Sequence, residues 1–171
     1  MSKKHIVLVG LMGSGKSVIG RYLARSLQLA FTDTDEVIVD REAMSIPEIF
    51  EKAGEEGFRK VESEVIANVV LSKPRVIATG GGVVTQPKNL EYLRDSGRIY
   101  YLKASVNCLA ERIQQDHNRP LLKNADPYEV LQKLLVERSS LYEEADKIIK
   151  VDGKTVEEIS NSIAQDFSQT S

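Results

Sequence analysis

The 171-residue sequence contains one cysteine, Cys108, and two histidines, His5 and His117. One thiol excludes an internal disulfide and any multi-cysteine zinc site, and two histidines this far apart form no metal-binding cluster. Cys108, among Val106, Leu109 and Ile113, reads as core filler, and His117 as a loop residue. No apolar run is long enough to cross a membrane. No long basic run offsets the formal net charge of −2, which disfavours a nucleic-acid or anionic-membrane binder and favours a small polar substrate. Repeats and low-complexity linkers are missing as well, so the expectation is a single domain over 1–171, long enough to bury roughly 70% of its unfolded surface. Met1-Ser2-Lys3-Lys4 runs straight into an apolar strand, and the expected protein is a soluble, cytoplasmic monomer with no cleaved leader.

What is present begins with Gly10-Leu11-Met12-Gly13-Ser14-Gly15-Lys16-Ser17. The pattern is glycine, four residues, then Gly-Lys-Ser. It follows the β-branched run His5 to Val9 and precedes Val18, Ile19, Tyr22, Leu23 and Leu27 at helical spacing. Strand, glycine loop and helix N-terminus together make a phosphate cradle, because successive backbone N–H groups and the positive end of the helix dipole face one point. Gly13, Ser14, Gly15, Lys16, Ser17 and Val18 form its ATP-binding side. Lys16 reaches the β- and γ-phosphates, and the Ser17 hydroxyl ligates Mg²⁺.

Further strands are expected at Leu29 to Thr32, Arg75 to Thr79, Ile99 to Leu102 and Ile148 to Val151, with helical stretches between them. Ser45 with Glu48, and Asp126-Pro127 with Glu129, are helix-start signatures. Five strands alternating with helices imply a parallel sheet covered on both faces, with ligands at the carboxyl ends of its strands. Three of those ends carry chemistry: the glycine loop, Asp33-Thr34-Asp35, and Thr79-Gly80-Gly81-Gly82. The two aspartates either cap a helix or divide the work of holding Mg²⁺ and taking a proton from a hydroxyl; their position favours the second. Three successive glycines cost backbone entropy, which points to a ligand lying close to the main chain. No aspartate follows Val76-Ile77-Ala78, where many phosphate-loop enzymes keep a magnesium carboxylate, so Asp33 is the substitute. By periodicity alone Arg59 and Arg138 are solvated helix residues. Arg119 lies in a polar, aperiodic stretch, Gln114 to Ala125, that reads as a mobile excursion; from there an arginine can swing onto a transferring phosphoryl group.

In this combination the sequence resembles the shikimate kinase family. The residues that carry the likeness are Gly10 to Ser17, Asp33-Thr34-Asp35, Gly57-Phe58-Arg59, Gly80-Gly81-Gly82, Arg119-Pro120-Leu121-Leu122, and Arg138 with Leu141-Tyr142. The resemblance implies a three-layer phosphate-loop kinase fold of the nucleoside-monophosphate-kinase type with sheet order 2-3-1-4-5. It also implies a substrate-binding helical region at about 34–62, a lid at about 114–125 and transfer of a phosphoryl group from ATP to the 3-hydroxyl of shikimate, with Mg²⁺ as cofactor. By the same resemblance Lys16, Asp35 and Arg119 are catalytic, and Ser17 and Asp33 hold the metal. Arg112 lies along the adenine, while Arg59 and Arg138 take the substrate carboxylate and Gly81 with Gly82 the ring hydroxyls. Asp152-Gly153-Lys154, on the adenine side, lacks a proline that some members carry there. The competing readings are a gluconate- or nucleotide-type small-molecule kinase and a nucleotide-gated binding module without turnover.

Overall fold

A computed structural model describes residues 4–114 and 126–171. Strand β1 (His5–Val9) is buried along its whole length and forms the centre of a five-stranded sheet, as a near-continuous β-branched run does when helices cover both faces. Around it run α1 (Lys16–Leu27), β2 (Ala30–Asp33), α2 (Thr34–Glu42), α3 (Ile46–Val69) and β3 (Arg75–Ala78). A 3₁₀ turn at Val83–Thr85 leads into α4 (Pro87–Ser96), β4 (Gly97–Lys103) and α5 (Val106–Ile113). Then follow α6 (Pro127–Tyr142), β5 (Lys147–Lys150) and α7 (Val156–Thr170). All pairings are parallel and the order is β2-β3-β1-β4-β5, the order the resemblance implies.

The reversal of direction after β2 fixes the layers. Right-handed crossovers place α1 on one face, where α7 joins it, and α3, α4, α5 and α6 on the other. The pairing of Ile6 with Val76 and of Asp33 with Ala78 brings the ends of β1, β2 and β3 to one edge of the sheet. A smaller apolar cluster of Ile38, Ile49, Phe58 and Val65 ties α2 to α3 and forms the base of the 34–62 region.

Local signals set most boundaries. Ser45 and Glu48 exchange both capping-box bonds, at 3.3 and 2.7 Å, and the Asp126 carboxylate accepts from the Tyr128 amide at 3.0 Å. Helix α3 bends at Gly54, whose φ of 72° is outside the helical range. The expected β4 is short by two residues at its start. Gly97 pairs with His5 and Arg98 with Ile6, which extends the strand. Strands β2 and β5 each lie one residue from the expected span, and the second helical stretch starts at Thr34 with Asp33 as its cap. Apart from Gln114, the 114–125 stretch lies outside the described residues, and Arg119 with it. No described helix is long and apolar enough to cross a membrane.

Candidate active site

The phosphate loop is built on glycines at 10, 13 and 15, all with positive φ, which turn the chain sharply from β1 into α1. Lys16 is buried, and its ammonium folds back over the loop, donating to the carbonyls of Gly10 at 2.7 Å and Leu11 at 2.9 Å. Ser17 lies in the first turn of α1 and donates through Oγ to Asp33 Oδ2 at 2.5 Å. The other Asp33 oxygen accepts from the amides of Asp35 and Glu36. The capping reading of Asp33 holds, and its remaining oxygen faces Ser17 at the mouth of the phosphate loop. Val18 follows with its side chain exposed.

A hydroxyl and a carboxylate in direct contact beside a phosphate cradle are a hard oxygen donor set that suits Mg²⁺. Among the described residues no three His, Cys, Asp or Glu side chains cluster as metal ligands, so a cation here would draw most of its shell from phosphate oxygens and water.

Beside the loop lies a second cavity, to which α3 and α6 contribute two arginines. Arg59 is 11% exposed and donates from Nη1 to Glu62 Oε1 at 2.9 Å, with Glu55 further out at 3.5 Å. Arg138, on α6, is buried at 6% exposure. Neither is the solvated residue that periodicity suggests. Leu131, Leu134, Arg138 and Tyr142 share one buried stripe of α6, so Arg138 occupies a core-facing position. Gly82 lies directly beneath the Arg59 guanidinium, and a Cβ there would fall inside it. Ile46, Phe50, Phe58 and Met12 supply an apolar wall, with the two phenylalanine rings 4.7 Å apart.

This cavity and the one over the phosphate loop are adjacent, and Asp35, Gly80 and Gly81 line both. A ligand hydroxyl and a phosphate would meet there, beside a carboxylate. On the far side of the loop Arg112 donates to the Gly13 carbonyl at 3.1 Å. Nearby, Asp152 accepts from the Ser105 amide at 2.9 Å, and its hydrogen bonds from Ser105 hold its carboxyl below the usual range.

Two residues were missed at the sequence level. Glu62 is fully buried; its Oε2 has no hydrogen-bond partner among the described residues and lies 2.7 Å from where a Gly80 Cβ would be, with Asp35 Oδ1 at 2.9 Å from the same point. Burial pushes the Glu62 carboxyl up and outweighs the pull of Arg59 in the other direction. Its signal was the spacing Phe58, Glu62, Val65, Ile66, which puts a charge in an apolar stripe. Tyr142 donates its hydroxyl to the Gly81 carbonyl; the sequence reading noted it in the motif and gave it no role.

Comparison with known proteins adds a separate line of argument. A family model described as "Shikimate kinase" matches residues 12–168. A protein named shikimate kinase from Thermodesulfovibrio yellowstonii is 44% identical over 98% of this chain and 97% of its own length. One of the same name from Dechloromonas aromatica is 48% identical over 88% of this chain and 82% of its own. Among solved structures, shikimate kinase from Acinetobacter baumannii in complex with shikimate superposes with a TM-score of 0.94 at 39% identity, covering 97% of this chain and 93% of that one. A gluconokinase from Sinorhizobium meliloti reaches a TM-score of 0.67 at 18% identity over 99% and 94%, a likeness of fold alone.

Proposed function

Since the chain belongs to the shikimate kinase family, we propose that its two adjoining cavities carry out the ATP-dependent phosphorylation of shikimate, with the acceptor seated on α3 and α6 and ATP on the phosphate loop. The observation that carries this reading is the shared wall of Asp35, Gly80 and Gly81, which lets a hydroxyl in one cavity face a phosphate in the other.

The division of labour follows from the chemistry of each group. Arg59 and Arg138 present guanidinium forks suited to a carboxylate, and the apolar wall suits a carbon ring. With the carboxylate held, the 3-hydroxyl lies toward Asp35, which accepts its proton as the oxygen attacks the γ-phosphorus. The bond from the γ-phosphorus to the β,γ-bridging oxygen breaks, and ADP leaves with the electron pair. Backbone of Gly81 and Gly82 takes up the ring hydroxyls. Lys16, by moving from its own loop carbonyls to the β- and γ-oxygens, neutralises charge where it develops. Ser17 and Asp33 would hold Mg²⁺, which when bound screens phosphate charge. Arg112 lies along the adenine, and Arg119 adds positive charge to the phosphates.

Most of the rate enhancement on this account comes from positioning and preorganised charge. The test is ADP release, followed by a coupled assay, with and without shikimate. Stimulation by shikimate but not by gluconate supports the reading; a rate indifferent to shikimate refutes it.

A further inference from the structure

Outside the groups already given a role, one buried hydroxyl bonds to the glycine backbone that lines both cavities. Tyr142 is fully buried, and its ring stacks on Tyr101 with centroids 5.0 Å apart and planes 22° from parallel. It lies one helical turn beyond Arg138 on the same face of α6. The hydroxyl donates to the Gly81 carbonyl, and Arg138 Nη1 lies 3.7 Å from the Cβ position of the same glycine. Two neighbouring side chains of one helix face therefore meet at a single residue of the glycine backbone. Gly81 in turn packs against the phosphate loop, its Cβ position lying 3.5 Å from the Met12 nitrogen and 3.6 Å from the Gly10 carbonyl.

We infer that Tyr142 is a positioning residue for the acceptor, fixing the Gly81–Gly82 peptide beside the carboxylate-binding Arg138 so that the two grip one substrate at a fixed separation. A hydrogen bond to the Gly81 carbonyl also polarises that peptide, making the Gly82 N–H a stronger donor toward a ring hydroxyl. Burial pushes the phenol up to about 12, so it keeps its proton, and the donated bond, through the neutral and mildly alkaline range. The inference rests on the acceptor assignment above.

Tyr142→Phe tests it, because phenylalanine keeps the stack on Tyr101 and removes only the hydroxyl. The shikimate KM should rise about five- to tenfold, the loss expected when one buried hydrogen bond is removed and its carbonyl is left unpaired, while the ATP KM stays within about twofold. A purely structural role would move both constants or neither. In a double-mutant cycle with Arg138→Lys the two effects on shikimate KM should combine to less than their product. An unchanged shikimate KM, an equal rise in ATP KM, or full multiplicativity in the cycle overturns the inference. Wild-type protein with normal shikimate turnover and an unaffected Tyr142→Phe variant would sink this inference alone. Wild-type protein with no shikimate turnover would sink the acceptor assignment and this inference with it.

Discussion

Replacing Glu62 by glutamine separates two effects that oppose each other at one buried carboxyl. The group is fully buried, and burial raises its pKa above the ordinary 4.5 even though Arg59 lies 2.9 Å away and pulls it down. Folding therefore favours the protonated form. A carboxyl raised in this way contributes stability that is complete below about pH 4.5 and is lost as pH rises through the folded value. Glutamine is neutral throughout and escapes that loss. The melting temperature of Glu62→Gln, relative to wild type, should therefore improve from pH 4.5 to pH 8. Function moves the other way. Glu55, 62% exposed and 3.5 Å from Arg59, is too solvated to hold the guanidinium by itself. Exchanging the ion pair with Glu62 for a bond from the Arg59 guanidinium to an uncharged amide forfeits about 1 kcal/mol of positioning, or roughly a fivefold rise in shikimate KM. Thermal melts from pH 4.5 to 8 and initial rates at varied shikimate read both effects. A melting difference constant across the pH range, together with an unchanged KM, would refute the reasoning.

Three further predictions concern other parts of the molecule. Arg59→Ala removes half of the proposed carboxylate grip and should raise the shikimate KM by about 10- to 100-fold with ATP binding largely intact, as read by separate titrations of the two substrates. Gly82→Ala would push a methyl group into the Arg59 guanidinium, which Glu62 pins from the other side, so a rise of about tenfold confined to shikimate KM is expected from the same titrations. His5 is buried with its Nε2 3.1 Å from the Val70 carbonyl, and burial lowers its pKa below 6.5. Its contribution to stability is therefore present above pH 6.5 and lost as pH falls through the folded value, and denaturant midpoints of His5→Gln should fall less steeply than wild type between pH 6.5 and 5.

How far the sequence predicts the molecule differs from one feature to the next, for physical reasons. The phosphate loop is legible because glycine, lysine and serine at fixed spacing meet a backbone requirement that few other residues satisfy. The Ser45 cap is legible because its bonds lie within four residues of chain. Sheet order is legible only through the resemblance, since the placing of β3 between β2 and β1 depends on contacts that periodicity does not encode. Arg138 and Glu62 look like ordinary surface charges until they are placed on the stripes Leu131, Leu134, Tyr142 and Phe58, Val65, Ile66. A charge in a buried stripe is the available signal, and periodicity read one residue at a time passes over it. The bond between Tyr142 and Gly81 spans 61 positions of chain and leaves no local trace.

The most direct measurement follows the phosphoryl group itself. Wild-type protein is mixed with γ-labelled ATP, Mg²⁺ and shikimate, and the labelled products are separated and weighed by mass spectrometry. The account predicts one phosphoryl group per shikimate, formed in step with ADP. Label released as inorganic phosphate at the same rate with or without shikimate would contradict it.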